Sequence, residues 1–278
     1  MLTARIEKIR HNYVNAKPQI SCERATLWTE SYKKSEGKPV CIRSAQAFYD
    51  CCAGLGVHIF EGELIVGAIG EYRKGDKPRI TGYEFHVINL VSQVCPHYLI
   101  KPYLEETLEE LKTREPEEKF PFRARVALVG SEVDDPAFTK LLEDCGAYVV
   151  ADRYCYGSLP GREEIIIRDG ESAFDAIVRH YLHWNQCARF MEGAKIDQRH
   201  AEVKRLVDEF HADGVIYENM KFCEFWSYEK VLASHILTEE MGVPCCTIEK
   251  EYALGSIGQL RTRFQAFVES LEIKKINS

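Results

Sequence analysis

The sequence predicts an α/β fold: a parallel sheet with helices on both faces, preceded by a mainly helical N-terminal region. Three observations carry this. After residue 125, short apolar runs alternate with stretches of helical period. Cap and turn residues, Asp135-Pro136 and Cys145-Gly146, separate them. Before residue 112, apolar residues recur mostly at helical spacing.

The elements follow in order. Ile6, Ile9, Tyr13 and Val14 share one helical face, as do Ala25, Trp28 and Tyr32. Ile42, Ala45, Phe48, Tyr49 and Cys52 form a third stripe. Residues 57–60 and 63–67 flank Glu61-Gly62 and read as a hairpin. The charged, proline-bearing run Lys112 to Lys119 reads as a linker. The expected division is residues 1–111, a linker at 112–124, and an α/β domain at 125–278. Within that domain, residues 125–130 form strand one, and Asp135 caps a helix faced by Phe138, Leu141 and Leu142. Residues 147–151 form strand two, and helices follow at about 171–186 and 197–211. Strand three is Gly214 to Tyr217, followed by a helix from Ser227 to Met241. Strand four is Val243 to Ile248, and a last helix runs from near Gly258 to about Leu271.

Composition narrows the function. The chain has 278 residues, 45% apolar and 28% charged, the balance of a globular protein. A net charge of −7 argues against broad nucleic-acid binding. No segment approaches the ~20 apolar residues of a membrane span. Met1 to Lys8 is charged and helical rather than signal-like, so a cytoplasmic location is expected. The eleven cysteines are odd in number, show no disulfide framework and contain no Cys-x-x-Cys pair. So many thiols suit an anaerobic cell. Gly-x-Gly-x-x-Gly, Walker and Gly-x-Ser-x-Gly patterns are absent.

Parallel strands place the loops after all four strands on one edge, where open α/β sheets bind ligands. Cys223 follows strand three and Cys155 follows strand two, so a shared thiol site is open to them. Cys187, at a helix end, is a third candidate. Thiolates suit iron–sulfur clusters and zinc. The competing reading is that these are structural thiols, the usual fate of a free cysteine. Cys145, Cys245 and Cys246 are expected to pack in the core. At the start of the last helix, Gly258, Gln259 and Arg261 can hold a phosphate or carboxylate on backbone N–H groups and a guanidinium. The alternative is a helix start whose arginines face solvent.

Three stretches, taken in order, carry a resemblance. The first is residues 125–131 with Asp134-Asp135-Pro136 and Val149 to Asp152. The second is Ala212 to Ile216 running into Lys221-Phe222-Cys223-Glu224. The third is Gly242-Val243-Pro244, Ile248 to Tyr252, and Gly258 to Glu269. Over about 123–271 the chain resembles the C-terminal half of the 2-hydroxyacyl-CoA dehydratase and benzoyl-CoA reductase family. Cys187-Ala188-Arg189-Phe190-Met191 leans toward the reductase side. The resemblance implies flavodoxin-like domains, paired subunits or a homodimer, and a [4Fe–4S] cluster. It implies an ATP-dependent activator protein that supplies one low-potential electron to an acyl-CoA substrate. It also implies that Cys223 is a cluster ligand. The family's N-terminal domain, with its further cluster cysteines, is not recognisable here. Residues 1–95 instead resemble the N-terminal part of glycyl radical enzymes, through Cys22-Glu23-Arg24-Ala25, Thr29-Glu30-Ser31-Tyr32 and Gly62 to Gly67. Their radical-glycine motif and barrel are absent, so packing or subunit contact is expected of this part.

The expected function is therefore an iron–sulfur subunit of a 2-hydroxyacyl-CoA dehydratase or benzoyl-CoA reductase-like enzyme, a lyase or reductase of anaerobic metabolism. The alternative is a non-catalytic partner or assembly subunit that keeps the fold without a complete cluster site.

Overall fold

A computed structural model describes residues 65–75, 78–95, 97–116, 122–155, 157–158, 165–184, 186–252 and 255–277. The three helical stripes expected before residue 57 lie outside the described residues. So does most of the expected hairpin. Its last three residues, 65–67, belong to a helical segment at 65–70. The reason is spacing: Val66 and Ile69, three apart, are both buried in one core with Phe85.

Helices α1 (Gly82–Val94) and α2 (His97–Thr113) come first. Thr81 and Glu84 close a capping box at the start of α1. The α/β unit then runs β1 (Ala124–Gly130), α3 (Pro136–Asp144), β2 (Ala147–Arg153), α4 (Ala173–Trp184), α5 (Gly193–Glu209) and β3 (Gly214–Met220). It ends with α6 (Glu224–His235), a π-helical turn (Ile236–Glu240), β4 (Cys245–Lys250) and α7 (Ile257–Ile276). The four strands are all parallel, in the order β2-β1-β3-β4. The α/β fold with helices flanking a parallel sheet is thus as the sequence predicts.

Each face of the sheet has its own core. On one, Leu128, Ile216 and Ile248 pack with Phe138 of α3 and Phe264 of α7, whose rings meet edge to face at 5.5 Å. On the other, Val129, Val215 and Tyr217 pack with Val203 and Leu206 of α5 and Trp226 of α6. Asp135 caps α3 as expected, accepting from Ala137 N at 2.9 Å. Cys145 is buried in the first core, with Cys246 packed against it, and Cys245 packs against the second.

The strands are longer at their carboxyl ends than the apolar runs. Asp152-Arg153, Glu218-Asn219-Met220 and Glu249-Lys250 are read from sequence as loop or loop edge. All are strand. Their backbones stay in register, with Val129 beside Arg153 and Met220 beside Lys250. Several of their polar side chains find partners in the interior. Asp152 accepts from Arg73 at 2.6 Å, with both side chains 2% exposed. This buried ion pair ties the segment before α1 to edge strand β2. Tyr148 Oη donates nearby to the carbonyls of Arg73 and Ile80. Glu143 of α3 accepts from Gly82 and Tyr83 N–H at the start of α1. His86 of α1 bridges Thr139 Oγ1 and the Val133 carbonyl.

β1 and β3 meet closely at their ends. Gly130 has φ +148, and a Cβ there would lie 1.9 Å from the Glu218 carbonyl oxygen. Only glycine fits. The next residue, Ser131, is buried and joins three strand ends. Its Oγ donates to Glu218 Oε2 at 2.9 Å and accepts from Met220 N at 2.5 Å. Its carbonyl accepts from Cys155 N at 2.7 Å. Burial pushes the Glu218 carboxyl up to about 7, against the opposing pull of Lys250 and the Ser131 bonds.

Two predictions follow from this junction. Gly130→Ala should lower the unfolding free energy by more than about 2 kcal/mol in denaturant titration, through strain and overlap. An unchanged midpoint would contradict the geometry. Glu218 holds its proton to higher pH when folded than the ordinary 4.5 allows. Its contribution to stability is therefore present below about 4.5 and lost as pH rises toward about 7. Stability of the wild type relative to Glu218→Gln should fall across that window by up to ~1.4 kcal/mol per pH unit. Other titrating groups cancel in the difference, and a flat difference curve would refute the shift.

Candidate functional site

The carboxyl edge of the sheet carries the polar groups. Cys155 lies just after β2, and its N–H is held by Ser131. Cys223 ends a tight turn after β3 and is the N-cap residue of α6. Its N–H donates to the Met220 carbonyl, and its own carbonyl accepts from the Ser227 N–H and hydroxyl. Phe222, in that turn, has φ 70 and is 87% exposed. A positive φ is strained for a bulky side chain, and such strain concentrates at functional turns. Cys187 is half-buried in the segment between α4 and α5.

The fold brings these three thiols to one neighbourhood. Crowding around the Cys155 sulfur pushes its thiol up to about 12, although the residue as a whole is exposed. The nearby Cys187, Glu132 and Cys223 push in the same direction. Cys187 and Cys223 are therefore both within electrostatic reach of Cys155. Among the described residues, no three His, Cys, Asp or Glu side chains converge closely enough to hold one metal ion.

Two buried networks position the Cys187 segment. Arg153, at the end of β2, donates to Gln186 Oε1 at 2.7 Å and to the Gln186 carbonyl at 2.9 Å. Arg199 of α5 holds Glu229 of α6 through two bonds of 3.0 and 2.7 Å and donates to the Phe190 carbonyl. His200 Nε2 lies 3.1 Å from the same carboxylate. Burial opposes ionisation of Glu229, but His200 and Arg199 outweigh it and hold the carboxyl down at about 2. Three buried donors in this region make no hydrogen bond: Arg153 Nη1, Gln186 Nε2 and Trp226 Nε1. The Arg153 guanidinium stands 5.5 Å from the Trp226 ring centre.

On the other face of the same edge, a cleft of about 290 Å³ opens between the end of β4 and the start of α7. Lys221, Lys250, Ser256, Gln259, Leu260 and Arg263 line it. Of the residues expected to hold an anion, Gln259 is in this lining. Gly258 and Arg261 are exposed at the start of α7 and are not. Helical spacing explains the difference, because Gln259 and Arg263 are four apart and share a face that Arg261 does not. Lys250 and Ser131 escape a motif search. Their only signal is a polar residue in or directly after an apolar strand.

No helix among the described residues is long and apolar enough to cross a membrane. Residues 2–90 match the pyruvate formate lyase-like family. In that part, the trans-4-hydroxy-L-proline dehydratase of Clostridioides difficile is 43% identical over 75 residues, 27% of this chain and 9% of that enzyme. YjiM of Escherichia coli K12, provisionally described as a dehydratase subunit, is 26% identical over 151 residues, 54% of this chain and 38% of that protein. The (R)-phenyllactyl-CoA dehydratase beta subunit of Clostridium sporogenes is 26% identical over 169 residues, 60% of this chain and 43% of that subunit. The chain thus spans less than half the length of these curated relatives. The match to 2-hydroxyglutaryl-CoA dehydratase, D-component, covers residues 65–271, reaching back through α1 and α2 beyond the expected 123–271. With most of its length in that match, the chain belongs to the 2-hydroxyglutaryl-CoA dehydratase D-component family.

Proposed function

We propose that this protein is an iron–sulfur subunit of an acyl-CoA dehydratase or reductase. The observation that carries the reading is the shared neighbourhood of Cys155, Cys187 and Cys223 at the carboxyl edge. The donor set suits a cluster better than a single ion. Cysteine thiolates are the usual ligands of iron–sulfur clusters, and a cluster takes one per iron, spread more widely than around one ion. The unpaired donors of Arg153, Gln186 and Trp226 suit cluster sulfurs, which accept N–H bonds that tune the potential.

In this reading Cys223, Cys155 and Cys187 would ligate three irons of a [4Fe–4S] cluster, and the fourth would stay open for substrate or water. When bound, the cluster supplies one low-potential electron to an acyl-CoA thioester. The chain's own part is to orient the three thiols. Ser131 fixes the backbone at Cys155, Arg153 fixes the segment of Cys187, and the Met220 turn fixes Cys223. A second subunit or a second copy, and an ATP-dependent activator, complete the system in the cytoplasm. The subunit role is supported by relatives described as dehydratase subunits. Residues 1–95 serve packing or subunit contact, within a division into 1–111, a linker at 112–124 and an α/β domain at 125–278.

The second reading is a non-catalytic partner or assembly subunit. It is favoured by the lack, among the described residues, of a three-ligand group already closed around one point.

Iron and sulfide analysis of protein prepared without oxygen separates the two. The expected result is roughly four irons per chain with a broad thiolate-to-iron absorption band. Cys223→Ala should lose most of that iron, whereas Cys145→Ala, a change in the core, should keep it. Absence of iron after anaerobic reconstitution would favour the non-catalytic reading.

A further inference from the structure

The cleft at the end of β4 has a use that the cysteines do not exhaust. It opens at the start of α7, a helix of 20 residues whose N-cap Ser256 makes no side-chain bond. No acidic residue occupies its first turn. The leading N–H groups of such a helix lack partners within it, and the positive end of its dipole favours an anion.

A second and independent feature shares the cleft. Lys250 lines it, its side chain is 2% exposed, and its Nζ makes no hydrogen bond. Asp134 Oδ1 stands 4.0 Å from that Nζ, beyond hydrogen-bond length. A buried ammonium without hydrogen-bond partners is costly. Glu218 and Glu132 also feel its charge, but each carboxyl is itself pushed upward by burial, which lessens their compensation. An anion in the cleft would offset that cost.

The other charges at the cleft largely cancel. Lys221 pairs with Glu251 at 2.8 Å, and Glu249 with Lys230 at 3.6 Å. Arg263 donates to the Thr247 carbonyl at 2.6 Å, which leaves its charge in place. Arg263, the Gln259 amide, a helix start and Lys250, whose ion pair with Asp134 is long and makes no hydrogen bond, therefore line a volume of about 290 Å³. That is near the small end of ligand sites, enough for a phosphate or diphosphate.

We infer that this cleft binds a phosphate-class oxyanion, with Arg263, Gln259 and the α7 N–H groups at its mouth and Lys250 at its inner wall. The same chemistry serves free inorganic phosphate or the phosphate groups of a coenzyme A carrier. The second source rests on the function proposed above; the anion site itself does not.

The test is isothermal titration of the full chain in phosphate-free buffer at low salt with inorganic phosphate, pyrophosphate and coenzyme A. Saturable binding is expected, weakened about ten-fold or more by Arg263→Gln and by Lys250→Met. Arg263 is exposed, so its variant carries the test if Lys250→Met does not fold, as judged by circular dichroism. Coenzyme A binding more tightly than pyrophosphate would point to the carrier. Equal affinity would keep the anion site and remove the carrier. No saturable binding by any of the three, or affinity unchanged in Arg263→Gln, would overturn the inference. Because none of these readings needs iron, binding without a cluster would separate this site from the redox proposal.

Discussion

The contact between the ends of β1 and β3 governs the rest of the carboxyl edge. Without a side chain at Gly130, the two backbones come close enough for Ser131 to reach both Glu218 and Met220. The same serine holds the N–H of Cys155 after β2. One buried hydroxyl and one carbonyl thus set the relative positions of three strand ends. Hydrogen bonds of this kind are modest in net energy but expensive to leave unmade. Their value here is positional, because two of the candidate thiols, Cys155 and Cys223, follow those strand ends.

Charge is used in the same way deeper in the molecule. Arg153 holds Gln186, Arg199 and His200 hold Glu229, and Arg73 holds Asp152, all largely shielded from water. A buried ion pair roughly breaks even against well-packed apolar residues, but losing one partner is severe. The Arg199–Glu229 and Arg73–Asp152 ion pairs and the Arg153–Gln186 hydrogen bonds therefore fix geometry more than they add stability. Each joins segments distant in sequence. The Arg153 contact brings the segment with Cys187 beside the end of β2, and the Arg73 contact seats the chain before α1 on an edge strand.

That seating bears on the two family matches. They overlap at residues 65–90, where the helical segment at 65–70 and α1 lie. These residues share a small core with α2 and dock on β2 and α3 through Glu143, His86 and Tyr148. The part that resembles glycyl radical enzymes thus runs directly into the dehydratase-type α/β unit, and the join is packed rather than loose. The loops that carry Cys155 and Cys223 and the β4–α7 cleft all lie at the carboxyl edge of the sheet.

The sequence alone determined the alternation of strands and helices, the parallel sheet and the edge on which the loops after its strands lie. These are local properties: apolar period, cap residues such as Asp135 and Pro136, and the geometry of strand–helix–strand connections. It did not determine where the strands end. Asp152, Glu218 and Lys250 look like loop residues because burial of a charge is unfavourable unless a partner arrives, and most of their neighbours come from elsewhere in the chain. Residues 65–67 read from sequence as part of a hairpin, and they are helical because Val66 and Ile69 are buried in one core with Phe85. Likewise the choice between Arg261 and Arg263 depends on which face of α7 turns toward β4. Only the tertiary structure decided these points, because each is fixed by a contact between residues far apart in sequence.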